Sequence, residues 1–224
     1  VTPLFLEALK MRRKIQSRAI LHNFRSVLAS GRVLDYGCGQ GTFFSFLVQN
    51  GIDAAGCDIS SFSKGLNTSD PVLRFFPITD SWGLPDPFNF QIISMLDVLE
   101  HCSHPMDLIS RFRSGGVSDF VVKVPLSGGP LFQLAKAAAY AGAHAVLEKL
   151  FLVGDISPHV SYFSFTGLVN IFDQCGYALK RSVRLAEIGR ELPERVRGEK
   201  SMNKGIGKFF LAGVGRLFEF AAPH

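Results

Sequence analysis

The sequence predicts an α/β fold, in which a doubly wound and mostly parallel sheet carries helices on both of its faces. Three observations predict it. Apolar segments with the character of strands alternate with segments of helical periodicity, and a glycine-rich turn joins the first strand to the next helix. Hydrophobic residues fill 47% of the 224 positions and charged residues 19%, which excludes a disordered chain and suits one globular domain.

The elements are predicted in order along the chain. Between Phe5 and Leu28, apolar residues recur at steps of three and four with basic residues among them, which predicts an amphipathic helix. Short apolar segments predict strands at Arg32–Tyr36, Ala54–Cys57, Leu73–Phe76, Phe90–Met95, Phe120–Val124 and Leu179–Leu185. Helical patterns predict helices at Phe43–Val48, Pro105–Phe112 and Phe165–Cys175.

Three segments depart from this alternation. Leu131–Leu152 is rich in alanine and predicts a long helix where a short crossover would suffice, so we expect an inserted lid followed by a loop to Pro158. Arg190–Lys204 is charged, and we expect it to be flexible or helical. From Asn203 to Phe220 a two-faced helix is predicted, which either packs on the sheet or lies at a membrane surface as a peripheral contact.

Charge and cysteine content narrow the class of protein. The net charge of +5 conceals basic segments at both ends around an acidic centre. Basic ends suit an anionic partner such as lipid headgroups, a phosphorylated substrate or RNA, although solvated helix faces explain such segments more often. The four cysteines form no CxxC pair, which favours neither a zinc knuckle nor a disulfide framework. We read neither a secretion signal nor a membrane-spanning apolar run, so a cytoplasmic location is expected.

The glycine-rich turn predicts a ligand that resembles a nucleotide. Val33–Gly41 leaves a strand and enters a helix, where glycines let the backbone approach a ligand. Asp58 ends the second strand, where a carboxylate can accept hydrogen bonds from both hydroxyls of a ribose, and Asp80 follows the third strand within reach of an adenine amino group. The glycine spacing is G-x-G-x-G and not the G-x-G-x-x-G of a dinucleotide-binding loop, and no GK[ST] segment of a P-loop is present.

With these features the chain resembles the class I S-adenosylmethionine (SAM)-dependent methyltransferases over about residues 30 to 187. The resemblance rests on VLDYGCGQG, on Asp58 in GCDIS, on Asp80 ahead of GLPDPF and on DVLEH after the fourth strand. The segments SHP and PHVSYFSFTGL are most similar to the small-molecule branch that includes ubiquinone-biosynthesis O-methyltransferases. The resemblance implies a Rossmann-like methyltransferase sheet and SAM as cofactor. The usual seventh strand is not identified, since Phe209–Leu211 is a poor candidate.

The resemblance also implies where the cofactor lies. Gly37, Cys38 and Gly39 would face its methionine part, Asp35 would support its ammonium through water, and Leu96 would border the methyl-transfer site. The complete expected cofactor set is Asp35, Gly37, Cys38, Gly39, Gly41, Asp58, Ile59, Asp80, Ser81 and Leu96. Ile59 would pack on the adenine.

Methyl transfer is an in-line displacement, so holding the acceptor in line with the methyl carbon supplies much of the catalysis. A general base is needed where the acceptor is a phenol or an alcohol, and His101 and His159 are the candidates. His101 can equally be a structural residue at a helix start. His159, Tyr162 and Phe163 are expected to contact the acceptor.

A second cluster of potential ligands follows the fourth strand. Asp97, Glu100 and His101 offer oxygen and nitrogen ligands for a divalent cation. Three such side chains on one turn more often cap the helix and bind each other, so no metal is expected.

The predicted function is transfer of a methyl group to an oxygen, less readily to a nitrogen or carbon, of a small apolar or aromatic acceptor. Neither a Pro-Cys dipeptide nor a [DNS]-P-P-[YFW] segment is present, so no nucleic-acid partner is expected. Two alternatives stay open: an RNA or protein methyltransferase that docks through its basic termini, and a cofactor-binding scaffold without transfer activity. The acceptor, the atom methylated and the oligomeric state are not predicted.

One domain over residues 1–224 is expected from these parts. Its predicted divisions are an N-terminal helix (1–30), a cofactor-binding core (31–125), a lid insertion (126–160), a helix with the sixth strand (161–187) and a basic tail with an amphipathic helix (188–224).

Overall fold

A seven-stranded sheet forms the centre of the protein. The structure, a computed structural model, describes residues 3–59, 74–78, 83–84, 88–127, 133, 136–137, 139–142, 159–186 and 214–223. The strands are β1 (Val33–Tyr36), β2 (Ala54–Ile59), β3 (Arg74–Ile78), β4 (Ile92–Leu96), β5 (Asp119–Pro125), β6 (Ala178–Ala186) and β7 (Val214–Ala221). Their order is β3-β2-β1-β4-β5-β7-β6, and only β7 runs antiparallel to its neighbours. The predicted doubly wound, mostly parallel sheet is therefore confirmed.

Helices cover both faces of this sheet, as predicted. They are α1 (Pro3–Leu28), α2 (Thr42–Gln49), α3 (Pro105–Ser114) and α4 (Phe165–Gln174). On one face, Phe24 and Leu28 of α1 pack with Phe44 and Leu47 of α2, and all four side chains are fully buried. On the other face, Phe112 of α3 and Phe172 of α4 pack in a second cluster, where Phe172 stacks on Phe220 of β7. Burial of apolar surface on both faces stabilises this three-layer arrangement.

The strand order reverses between β1 and β4, and this reversal positions the site. From β1 the chain continues outward to β2 and β3, and it then returns to place β4 on the other side of β1. Asp35 of β1 pairs in register with Ser94 of β4. In open parallel sheets, ligands bind outside the carboxyl ends of the strands at such a reversal.

The C-terminal segment corrects the sequence analysis. Val214–Ala221 is a strand between β5 and β6, so the helix predicted for Asn203–Phe220 is wrong over Val214–Phe220, and a seventh strand is present. Asn203–Gly213 lies outside the described residues. Leu217 packs on one face of the sheet and Phe218 and Phe220 pack on the other, because an inner strand buries both faces, and such a run also satisfies helical spacing. The two-faced helix of the membrane-surface hypothesis therefore does not extend over Val214–Phe220, where the chain is a strand.

Two other predictions fall largely outside the described residues. Within the predicted lid Leu131–Leu152, the helical residues that the structure describes are 133, 136–137 and 139–140. The predicted tail Arg190–Lys204 is not among the described residues. Within the described ranges, no helix has both the length and the apolar character needed to cross a bilayer.

The strand assignment of β7 predicts a specific loss of stability. Phe220 is fully buried against Phe172, so Phe220→Ala should lower the free energy of unfolding by about 3 to 5 kcal/mol. Tyr140, which is 83% exposed, provides the control: Tyr140→Ala should change it by less than about 0.5 kcal/mol. Urea unfolding measures both values. Equal effects of the two substitutions would contradict a buried β7.

Candidate active site

The glycine turn after β1 has the left-handed backbone that the sequence predicts for it. Gly37, Gly39 and Gly41 have φ angles of 72°, 55° and 74°. Two of these glycines serve different purposes. A Cβ on Gly37 would lie 2.6 Å from Cγ2 of Val98, so Gly37 is required by packing, whereas a Cβ on Gly39 would meet no atom within 4 Å. The turn therefore packs tightly at Gly37 and leaves room for a ligand at Gly39.

Asp58 fixes the far side of this turn. Its Oδ2 accepts a hydrogen bond of 2.6 Å from the backbone N–H of Gly39, which joins the end of β2 to the glycine turn. The residue is 7% exposed. Burial raises the pKa of Asp58, and hydrogen bonds from the backbone N–H groups of Gly39 and Ile59 oppose that rise. The carboxylate thus has a set orientation at the edge where a nucleotide-like ligand is expected.

Asp35 lies beneath the turn, at the carboxyl end of β1. Its Oδ1 accepts a hydrogen bond of 2.8 Å from the Ser94 hydroxyl, and the residue is 3% exposed. Burial raises the pKa of Asp35 to about 7, although the bonds from Ser94 and from the backbone of Phe44 lower it. Asp35 can therefore change its protonation state near neutral pH.

A cavity of about 280 Å³ opens beside the turn. Its walls come from α1, from the glycine turn with the start of α2, and from the carboxyl ends of β4 and β5. The lining residues are Arg13, Gln16, Ser17, Ile20, Asp35, Gly37, Cys38, Gly39, Thr42, Phe43, Leu96, Asp97 and Lys123. Burial raises the pKa of the Cys38 thiol, so at neutral pH this side chain is a neutral wall residue rather than a thiolate nucleophile.

An ion pair between buried Lys123 and exposed Asp97 forms the polar end of this cavity. Lys123, which is 2% exposed, places Nζ 2.6 Å from both carboxylate oxygens of Asp97. The backbone N–H of Asp97 also donates to the carbonyl of Lys123 at 2.9 Å. Asp97 has a φ of 59°, the left-handed region that asparagine and aspartate tolerate better than most residues. The backbone hydrogen bond and the side-chain ion pair together hold the Asp97 carboxylate at the carboxyl end of β4.

The two histidines predicted as bases lie together but outside the lining of this cavity. The rings of His101 and His159 are 4.8 Å apart between centroids. Burial lowers the pKa of His159, and the neighbouring His101 lowers it further, whereas Asp97 acts in the opposite direction. The Tyr162 hydroxyl donates to the His159 carbonyl, and Phe163 is 5% exposed within the apolar core.

Half of the predicted cofactor residues lie together in the lining of the cavity. Asp35, Gly37, Cys38, Gly39 and Leu96 line the cavity. Asp58 is bonded to Gly39, Gly41 precedes α2, and Ile59 ends β2. Asp80 and Ser81 lie outside the described residues.

Sequence reasoning missed the contributions of β5 and α1 to the cavity. Lys123 carried a signal, because it is the one charged side chain in the interior of the apolar segment FVVKVP. Arg13, Gln16 and Ser17 carried none, since an amphipathic pattern does not say which turn of a helix faces a site.

Comparison with known proteins gives a match for most of the chain. Residues 9–181 match a family model described as "Methyltransferase domain". No curated protein sequence matches significantly.

Solved structures with a similar fold share little sequence with this chain. The magnesium protoporphyrin IX methyltransferase of Synechocystis PCC 6803, with bound SAH (S-adenosylhomocysteine), has a TM-score of 0.60 at 14% identity, over 100% of this chain and 89% of that one. A SAM-dependent methyltransferase from Archaeoglobus fulgidus has a TM-score of 0.57 at 19% identity, over 98% and 100%. The (4+2)-cyclase SpnF has a TM-score of 0.62 at 14% identity, over 93% and 80%.

The raised pKa of Asp35 predicts a pH dependence of stability. Since the folded-state pKa of about 7 lies above the usual value of 3.8, the folded state binds more protons between these values. The free energy of unfolding should therefore fall as pH rises from about 4 to 8, by roughly 2 to 4 kcal/mol. Asp35→Asn should remove this contribution, because asparagine keeps an acceptor for Ser94 and carries no charge.

Urea unfolding of both proteins at several pH values measures this effect, with Asp173→Asn as the control at an exposed aspartate of α4. Parallel stability curves for the wild type and Asp35→Asn would show that Asp35 titrates normally.

Proposed function

Because this chain belongs to the methyltransferase domain family, we propose that it transfers the methyl group of SAM to an oxygen atom of a small acceptor bound beside Asp97. Family membership makes the chain a methyltransferase, and its cofactor is SAM. The size of the acceptor and the atom methylated are our proposal. The similarity to ubiquinone-biosynthesis enzymes stays a prediction, and the cyclase with the same fold illustrates that fold alone does not fix chemistry.

The observation that supports the proposal is the set of residues that line one cavity between the glycine turn and Lys123. At one end, Gly39 presents a backbone without a side chain to open space, and Asp58 is bonded to it. At the other end, Asp97 and Lys123 present charged groups. Leu96 also lines the cavity, and its apolar side chain would exclude water from the reacting atoms.

The described residues fit the cofactor by their chemistry. A carboxylate at the end of β2 can accept hydrogen bonds from ribose hydroxyls, and Asp58 is buried and oriented for this. Asp35 offers a second carboxylate on the cavity side of the turn, where a nearby ammonium would favour its ionised form. When bound, SAM supplies an electrophilic methyl group on a sulfonium sulfur.

The acceptor-side residues hold the nucleophile and its proton. The Asp97 carboxylate can accept a hydrogen bond from an acceptor hydroxyl, which orients the oxygen towards the centre of the cavity. Lys123 holds both carboxylate oxygens and keeps Asp97 in one orientation.

An alternative within the same proposal keeps His101 or His159 as the base. The histidines lie close enough to Asp97 for its negative charge to raise the pKa of His159. They do not line the cavity, however, so Asp97 is the better placed group.

The proposed cofactor site predicts that substitutions of two aspartates near opposite ends of β2 will affect SAH affinity differently. Asp58→Asn should weaken SAH binding by about 1 to 3 kcal/mol, roughly 5- to 150-fold, through loss of charge-assisted hydrogen bonds. Asp53→Asn, just before the opposite end of β2, should leave the affinity unchanged. Calorimetric titration with SAH measures both. No binding to the wild type, or equal losses in the two variants, would contradict the site.

Acceptor-dependent release of SAH from SAM tests the reaction itself. Phenols, aliphatic alcohols, sugars and RNA form the panel, and we expect turnover with a small hydroxyl compound. RNA as the only acceptor would replace our proposal with the docking alternative, and SAH binding without any turnover would favour the scaffold.

With the acceptor in hand, Asp97→Asn should lower kcat/KM on the order of 10² to 10⁴ while SAH affinity stays within twofold. His104→Gln, at an exposed histidine of the same segment, serves as the control. A full loss in His159→Gln with normal activity in Asp97→Asn would transfer the base to the histidine pair.

A further inference from the structure

Glu100, His101 and His159 form a three-residue cluster outside the cavity. One oxygen or nitrogen atom from each lies within 4.8 Å of the corresponding atoms of the other two. Glu100 is 1% exposed, and both histidines are half-buried. His159 comes from a segment far along the chain, so this grouping is a product of the fold and not of one turn.

The backbone brings the two segments together. The N–H groups of Val160 and Ser161 donate to the carbonyl of Glu100 at 2.8 and 2.9 Å. The Ser161 hydroxyl donates to the carbonyl of Cys102 at 2.7 Å. These bonds hold His159 over the short turn Leu99–His101 independently of any ligand that the three side chains bind.

The ligand set differs from the one that the sequence suggests. Asp97 stands one turn before Glu100 and His101, but both of its oxygens lie 2.6 Å from Nζ of Lys123. Its carboxylate is directed to the cavity, and His159 takes its place in the cluster. Two imidazoles and one carboxylate suit zinc and similar first-row cations, whereas magnesium and calcium prefer oxygen ligands alone.

We propose that Glu100, His101 and His159 bind one divalent cation of the zinc type, with a fourth coordination position left for water or another oxygen. Ligand atoms around a tetrahedral zinc stand roughly 3.4 Å apart, given bonds of about 2.1 Å, so small side-chain rotations complete the site. A divalent cation also neutralises the buried carboxylate. This inference goes beyond methyl transfer, because metal binding needs neither SAM nor an acceptor.

Cobalt(II) is the probe, since its visible absorption reports tetrahedral nitrogen and oxygen ligands while zinc itself is silent. The full chain is stripped with a chelator and titrated with Co²⁺, and Zn²⁺ is then added in competition. We expect one equivalent of Co²⁺ to bind with intense absorption bands and Zn²⁺ to displace it. Absence of Co²⁺ and Zn²⁺ binding to the wild type would overturn the proposal.

Matched variants locate the metal. Glu100→Gln, His101→Gln and His159→Gln should each weaken Co²⁺ binding tenfold or more, on the order seen for lost ligand-shell groups. Asp97→Asn and His104→Gln should leave it unchanged. Loss of binding in Asp97→Asn with retention in His159→Gln would reassign the site to the Asp97 set and contradict ours.

X-ray absorption of the zinc-loaded wild type keeps the test decisive even where a variant fails to fold. We expect nitrogen and oxygen neighbours at about 2.0 to 2.1 Å with imidazole scattering, whereas zinc–sulfur distances near 2.3 Å would place the ion on cysteines and refute the proposal. SAH titration of the same samples separates this result from failure of the proposed cofactor site, because none of the three metal ligands lines the cavity.

Discussion

The parallel pairing of β1 with β4 is the constraint on which the rest of the site depends. It places Asp35 in register with Ser94, so the buried carboxylate has a hydroxyl donor at 2.8 Å. It also brings the glycine turn after β1 opposite Val98, whose side chain closes over Gly37. The next pairing, of β4 with β5, then sets Leu96 beside Lys123 and ties Asp97 to that lysine. Two strand registers thus define both ends of one cavity.

This arrangement concentrates polar groups where they are expensive to bury. Among the described residues, the buried polar or charged side chains are Ser17, Asp35, Asp58, Ser94, Glu100 and Lys123. Ser17 belongs to α1, and the others belong to strands of the parallel part of the sheet or to the turn that follows β4. A buried charge is tolerated only with a partner, and Asp58, Asp35 and Lys123 each have one at 2.8 Å or less. The cost of these groups indicates that function, not stability, places them there.

Local patterns made part of this architecture predictable. The strand, glycine turn and helix around Gly37 form one continuous segment, and Asp58 follows at a spacing that the strand lengths dictate, so the sequence alone could predict that these residues lie together. Lys123 and Asp97 were not paired in advance, because their contact depends on the register of β4 against β5. Phe163 was expected at the acceptor and lies in the core, since an aromatic residue suits either place. β7 was mistaken for a helix because a strand buried on both faces lacks alternation.

The glycine turn, Asp58 and the carboxyl end of β4 together form the proposed cofactor site. Titration of the isotopically labelled protein with SAH, followed through the backbone amide chemical shifts, maps the residues that the cofactor contacts. We expect the largest shifts at Gly39, Asp58, Leu96 and Asp97, with the amides of α4 unaffected. Shifts confined to another face of the protein, or no shifts at saturating SAH, would contradict it.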